Sequence, residues 1–359
     1  MLESRQKEDC KSEHGKWSRI GLGASLRLSR PEDWGFRLTV CIAALADNRR
    51  SLVLATDEAV SAPYTASSSK IFKLRWFHQK WAIMFAGDVD SMTSLLRSVK
   101  RNFPKTETPS VEEVSKAVTN AYHEELVKVK EERHLKPNKL DWDRFQKNSP
   151  PLFTDRVYEQ MKSQLDETRL SLDPNQAPLL LVAGFDNSGP GHIFSVDHPG
   201  TSFGHDLIGF HAIGTGYYYA LTMLHSHSRN TTSHFDPLNI VLYRVAEAKF
   251  MAENDPQVGK STTLIKWEIN DKPYFILEKK LRKIWNRGGR PKVPQGIGDK
   301  IKTILDTDSY FLGLPEQLPG ARLEQGLSDT PTETPQGLKD IIEKNSRAML
   351  EFVTNTSPD

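Results

Sequence analysis

The sequence predicts a mixed α+β domain with helices lying outside two sets of strands. Apolar runs of strand length alternate with amphipathic helical patterns, in the order strands, helices, strands, helices, strands. At 359 residues, the chain is long enough to bury one large core or two modest ones. Because each strand and helix must bury an apolar face, this order favours helix layers packed outside a double sheet.

The first strands are predicted as two hairpins. Residues 38–46 and 51–56 are apolar, and Asp47-Asn48 between them is a turn signal. Residues 70–75 and 80–86 have the same character and form the second pair. Asp57 and Gly87 therefore each follow a predicted strand directly.

Two amphipathic helices follow the hairpins. Met92, Leu95 and Val99 mark the apolar face of a helix over residues 90–102. A second helix is predicted over 111–133, with Ser110 and Glu113 spaced as a capping box.

The strand–helix order repeats after Pro178. Residues 179–185 are wholly apolar, which suits a strand buried on both faces. The later elements are strands at 192–197 and 207–214, helices at 216–225 and 237–252 with Asp236 as cap, and strands at 261–269 and 274–277.

Polar segments divide the chain. Residues 1–37 are polar and aperiodic, which predicts a disordered leader or propeptide before a domain at 38–278. Residues 134–177, with a short helix near 154–165, are interpreted as an insertion in that domain. The remainder, 279–359, is predicted as a basic segment to 302, a linker at 315–337 and a short terminal helix at 338–352.

Composition narrows the functional classes. The formal net charge of +2 does not favour a polyanionic partner, so nucleic-acid binding is not predicted, although the 279–302 run leaves it as a third hypothesis. Two cysteines are too few for a disulfide framework. No apolar run reaches the roughly 20 residues of a membrane helix, and the N-terminus lacks a secretory core. A cytoplasmic protein without membrane contact is the resulting expectation.

Three histidines raise the question of a metal site. His225, His227 and His234 stand in HSHSRNTTSH, and a His-x-His pair with a third His suits Zn²⁺. No cysteine or carboxylate completes a recognisable ligand pattern there. No metal or other cofactor is predicted.

Three stretches in order carry a resemblance to a known family. They are TVCIAALADNRRSLVLATDE; SSSKIFKL followed by WAIMFAGDVDSMTSLLRSV; and LLLVAGFDNSGPGHIFSVDHPG followed by HAIGTGYYYALTML. Together they resemble the proteasome β-subunit family of N-terminal-nucleophile hydrolases, in the manner of its shorter bacterial relatives. The resemblance spans roughly residues 38–267. It implies a four-layer αββα sandwich, a peptide or other amide as substrate, and assembly into a homo-oligomer.

The resemblance also implies a set of site residues. Thr39 corresponds to the nucleophile, whose own freed α-amine acts as base. Lys70 corresponds to the lysine beside the nucleophile, and Asp57 to the aspartate that pairs with this lysine.

Three further residues complete the implied site. Gly87 corresponds to the glycine whose N–H stabilises the oxyanion. Thr215 stands where the family has a serine that helps orient the amine, and Asp255 is the candidate for its second aspartate. The serine expected after that aspartate is Val258 here.

The register at the first strand leaves three alternatives. If Thr39 takes the first position, the opening hairpin is two residues longer than usual in the family. If Leu38 takes it, the site is inactive. If Cys41 takes it, the interval to Asp57 is the usual one, and the enzyme is a cysteine-type hydrolase.

The sequence thus predicts a threonine-type peptidase or amidohydrolase that acts through Thr39 after leader removal. The alternative is a non-catalytic, proteasome-like structural or scaffold subunit. The two differ in whether Thr39 becomes an N-terminus.

Overall fold

The computed structural model describes residues 39–58, 73–147, 153–172, 176–227, 233–287 and 296–310. All of them belong to one unit, Gly35–Asp359. The predicted leader, linker and terminal helix lie outside the described residues.

The described strands form two antiparallel sheets. The first has the order β11-β10-β9-β2-β1-β8, and the second has the order β3-β4-β5-β6-β7. The strands are β1 Cys41–Ala46, β2 Ser51–Asp57, β3 Leu74–His78, β4 Trp81–Ala86, β5 Leu179–Phe185, β6 Gly191–Asp197, β7 Thr201–Gly204, β8 Phe210–Ile213, β9 Thr262–Glu268, β10 Tyr274–Ile276 and β11 Ser309–Tyr310.

The described ranges also contain α-helices. They are α1 Val89–Asn102, α2 Val111–Lys130, α3 Trp142–Lys147, α4 Asp155–Glu167, α5 Tyr217–His227, α6 Leu238–Ala252, α7 Glu278–Arg287 and α8 Ile297–Asp308. This mixture of helices and antiparallel sheets confirms the α+β class. None of the helices within these ranges has the length and apolar character needed to cross a membrane.

Successive side chains of β1 point to opposite faces of the first sheet, and both faces are part of the apolar core. Cys41, Ala43 and Leu45 join an apolar cluster that also includes residues of β4, β5 and β6. Ile42 and Ala44 point the other way, into a cluster with residues of α5, α6, α7 and α8. Successive side chains of a strand point to opposite faces, so a strand apolar at every position is buried on both. The outer face of the second sheet is covered separately, by α1 and α2.

The N-termini of α2 and α6 are capped in different ways, one by local residues and one by a residue distant in sequence. Ser110 and Glu113 form the predicted capping box of α2. The prediction of Asp236 as the cap of α6 is wrong: Asp236 instead pairs with Arg244, and Asp47 in the β1–β2 turn accepts from the Leu238 N–H at 3.1 Å. A carboxylate distant in sequence therefore satisfies this helix N-terminus.

Some predicted strands are displaced or divided. β3 begins at Leu74, whereas the prediction began at residue 70 and ended at 75. The strand predicted over 207–214 covers only Phe210–Ile213, and it is preceded by a turn and the short strand β7.

The segment predicted as an insertion contains α3 and α4, with a small apolar cluster of Leu135, Leu140, Phe145 and Leu165. Its status as an insertion stays a prediction.

Candidate functional site

The candidate site lies where the first two strands come together. Thr39 precedes β1, and Asp57 ends β2. The hairpin register pairs Cys41 with Thr56, so the next residues outward lie side by side. The Val40 N–H donates to Asp57 Oδ1 at 3.0 Å, and the Asp57 N–H donates to the Val40 carbonyl at 3.2 Å.

A lysine joins the hydroxyl to the carboxylate. Lys73 Nζ lies 2.6 Å from Thr39 Oγ1 and 2.9 Å from Asp57 Oδ1. Thr39, Asp57 and Lys73 are 5%, 0% and 4% exposed. An ammonium group this close favours the anionic form of the hydroxyl oxygen, and burial limits screening of that effect by water.

This lysine is three residues beyond the one predicted. Lys70 lies outside the described residues, and the contact predicted for it is made by Lys73. The Lys73 carbonyl accepts from the Phe85 N–H at 3.2 Å, which fixes the lysine beside β4. The sequence SSSKIFKL offers two lysines, and its apolar pattern alone does not choose between them.

The turn between β8 and α5 surrounds the Thr39 carbonyl. Thr215 Oγ1 and the Gly216 N–H both donate to this oxygen at 3.3 Å. Gly214 has φ +93°, and a Cβ there would overlap the same carbonyl. The structure therefore places Thr215 at the Thr39 carbonyl and explains why glycine precedes it, whereas the predicted role of Thr215 in orienting the amine stays a prediction.

Gly87 lies at the same end of the second sheet as Lys73. It follows β4 two residues after Phe85, whose N–H bonds to Lys73. Its φ is +117°, and a Cβ would lie 2.9 Å from the carbonyl oxygens of Gln176 and Ala177. The turn into α1 thus requires glycine at this position, independently of the predicted role of its N–H at the oxyanion.

The role predicted for Asp255 stays a prediction. Its carboxylate accepts from the Gln257 N–H at 2.9 Å, within its own loop. A different residue of this loop reaches the site: the Gly259 N–H donates to Asp57 Oδ2 at 3.2 Å. Val258 is buried, and its Cγ2 lies close to Gly216.

Cys41 has no nucleophilic geometry. It is completely buried within β1, and its thiol donates to the Phe85 carbonyl at 3.4 Å. Burial raises the pKa of this thiol far above its ordinary value. Because the thiolate is the reactive form, the geometry favours Thr39 over Cys41.

The histidines of the proposed zinc pattern have other contacts. His227 Nε2 bonds to Glu247 Oε2 at 2.8 Å, His225 lies edge-on to Phe210, and His234 packs on Phe235. No group of three or more His, Cys, Asp or Glu side chains in the described part of the chain has the arrangement to hold a metal ion.

Comparison with known proteins gives one family match. The family model described as proteasome subunit matches residues 139–252, from the segment before α3 to the end of α6. No curated protein matches the sequence significantly. The family match supports a proteasome-like protein; it does not extend to Thr39, Asp57 or Lys73.

Proposed function

We propose that this protein is a threonine-type N-terminal-nucleophile hydrolase of peptides or other amides. The observation that carries the proposal is the buried contact of Lys73 Nζ with both Thr39 Oγ1 and Asp57 Oδ1. A buried lysine and aspartate that meet at a hydroxyl are the parts needed to activate a weak nucleophile.

We include the four-layer αββα sandwich in the proposal. Its support is the set of apolar clusters: one holds side chains of both sheets, and the other two each join a sheet to helices. The family match across α5 and α6 agrees with this arrangement.

The proposed reaction begins with cleavage of the Leu38–Thr39 peptide bond. The freed α-amine of Thr39, with an ordinary pKa of about 7.7–8, takes the hydroxyl proton, directly or through water. Thr39 Oγ1 attacks the substrate carbonyl carbon, and the leaving amine departs with that proton as the acyl ester forms. Water then hydrolyses the ester and restores the hydroxyl.

Three groups assist this sequence. Lys73 stabilises the developing negative charge on Thr39 Oγ1, and Asp57 holds Lys73 in place. The Gly87 N–H is our candidate donor to the oxyanion, a role that is typically worth about 2.7–4 kcal/mol in the transition state.

Substitution at Thr39 tests the proposal. Thr39→Ala removes the nucleophile, and amide hydrolysis is expected to fall by at least about a thousandfold, while thermal unfolding shows an intact fold. Thr39→Ser is the matched control, because it keeps the hydroxyl and should keep measurable turnover. Full activity of Thr39→Ala would remove Thr39 from the mechanism.

A non-catalytic scaffold is the second candidate. Val258 favours it, since an apolar side chain packs at Gly216 where the resemblance calls for a serine. A scaffold predicts that wild type shows no turnover, and that Thr39→Ala has the wild-type particle size by light scattering. Turnover that depends on Thr39 contradicts this candidate.

Assembly and location complete the proposal. Family members form oligomers, so we propose a homo-oligomer. We place it in the cytoplasm, with no nucleic-acid partner.

A further inference from the structure

A second buried lysine, in addition to Lys73, lies next to the candidate site. Lys249 belongs to α6 and is 0% exposed. Its Nζ donates to Glu253 Oε1 and to the Gly259 carbonyl, both at 2.6 Å. A fully buried ammonium group is costly to desolvate, so its two bonds must compensate that cost.

The backbone of Gly259 links this lysine to the candidate site through its two neighbouring peptide groups. Its carbonyl accepts from Lys249, and the N–H of the same residue donates to Asp57 Oδ2 at 3.2 Å. Asp57 in turn holds Lys73 against Thr39. A continuous chain of hydrogen bonds therefore runs from α6 through a loop residue to the attacking oxygen.

The loop is fixed on its other side by α7. Arg282 binds Glu253 through two bonds of 2.7 and 2.8 Å and also donates to the Lys260 carbonyl at 2.9 Å. The Arg282 guanidinium lies 4.1 Å from the centre of the Phe250 ring. Part of the basic run at 279–302 thus braces the loop that meets Asp57.

We propose that Lys249 is a positioning residue for the hydrolysis: it anchors Gly259 by the carbonyl of that residue, so that the Gly259 N–H holds Asp57, and thereby Lys73, toward Thr39 Oγ1. This inference rests on the proposed function for its catalytic meaning, although the hydrogen-bond chain is a property of the fold.

Electrostatics agree with this geometry. Burial lowers the pKa of Lys249, whereas the hydrogen bond with Glu253 and the nearby charges of Glu253 and Asp57 raise it. The charge of Lys249 is thus coupled to Asp57 as well as to its direct partner.

A reporter thiol tests this inference independently of turnover. Thr39→Cys in the full chain, with Cys10→Ser, places a thiol beside Lys73. Cys41 does not interfere, because burial raises its pKa. Adding Lys249→Met should raise the pKa of the reporter thiol by about half a unit or more, measured from the pH dependence of alkylation. Lys266→Met is the matched control, because Lys266 pairs with Glu268 and should leave the value unchanged.

A second variant covers the case in which Lys249→Met fails to fold. Lys249→Met with Glu253→Gln removes both charges of the pair, and Arg282 keeps Glu278 and the Lys260 carbonyl as partners. We expect this pair to recover thermal stability but to keep the raised thiol pKa. A thiol pKa within about 0.2 unit of the parent in the folded variant overturns the proposal.

Kinetics of the otherwise wild-type chain give a second readout. Lys249→Met with Glu253→Gln should lower kcat about tenfold or more with little change in KM, because the substrate does not contact Lys249. Recovery of kcat together with stability would reduce Lys249 to a structural role. Hydrolysis that continues in Thr39→Ala would instead refute the proposed function. The thiol measurement would still decide the role of Lys249.

Discussion

At the residue scale, the proposed mechanism depends on a buried charge pair. Lys73 and Asp57 have side chains 6% and 0% exposed. Removing one member of such a pair leaves the other charge without its partner in a region poor in water, and this usually costs more than the pair itself contributes.

A double-mutant cycle checks this pair. Lys73→Met should lower the free energy of unfolding by about 3–5 kcal/mol, measured by urea denaturation. Adding Asp57→Asn should recover at least about 1 kcal/mol, because the buried negative charge that has lost Lys73 is removed. Lys128→Met is the control, since Lys128 is 55% exposed and should change stability by less than about 1 kcal/mol. Additive losses in the double variant would contradict a coupled pair.

The roles of Thr39 and Asp57 were named from the family resemblance and stay predictions. Their proximity follows from the hairpin, which brings the start of β1 beside the end of β2. Lys73 was passed over for Lys70, because a choice between two nearby lysines depends on where β3 begins. Lys249 and Gly259 were missed, although a lysine between Val245 and Ala252 on an apolar helix face is a readable signal.

At the element scale, the turn from β8 into α5 decides how Thr39 is held. Its glycine adopts a positive φ directly against the Thr39 carbonyl. The prediction of a strand through residue 214 missed this turn, because apolar residues do not show where the hydrogen bonds between two strands end. The same limit hid β7, a mostly exposed strand of four residues without an apolar pattern.

Substitution of this glycine tests the role of the turn. Gly214→Ala should cost more than about 2 kcal/mol of stability and abolish turnover, because both φ and the Cβ position are unfavourable. Gly204→Ala is the matched control: a Cβ there meets no atom within 4 Å. Thermal unfolding and turnover of both variants give the comparison; a Gly214→Ala protein with wild-type values would show that the turn is dispensable.

At the scale of the whole molecule, the two sheets are joined through histidines as well as apolar contacts. His205, after β7, stacks on His211 of β8 with ring centres 3.6 Å apart, and its Nε2 lies 2.8 Å from Ser195 Oγ. Burial, together with the charge of His205, lowers the pKa of His211 to about 4. Burial also lowers the pKa of His205.

These histidines make stability sensitive to acid. Between about pH 6.5 and pH 4 the unfolded chain binds a proton at His211 and the folded chain does not, so stability falls as the pH falls through this window. The loss should reach no more than about 3 kcal/mol. Urea denaturation of His211→Gln at pH 7 and pH 4.5 should show a smaller loss than wild type. His123→Gln, an exposed change on α2, should match wild type; equal losses in all three proteins would contradict this assignment.

At the same scale, the proposed catalysis depends on whether the residues before Thr39 are removed. In the uncleaved chain the nitrogen of Thr39 is part of a peptide bond with Leu38, so it cannot serve as a base. Leu38 and the residues before it lie outside the described ranges, and sequence alone predicted their removal. The buried contacts of Thr39 hold its hydroxyl against Lys73, and the proposed mechanism also requires a free amine.

Intact-mass spectrometry of the purified, active species shows whether the residues before Thr39 have been removed. Molecules able to hydrolyse an amide are expected to have the mass of a chain beginning at Thr39. Undiminished hydrolysis by molecules that still carry every residue from Met1 onward would contradict this expectation.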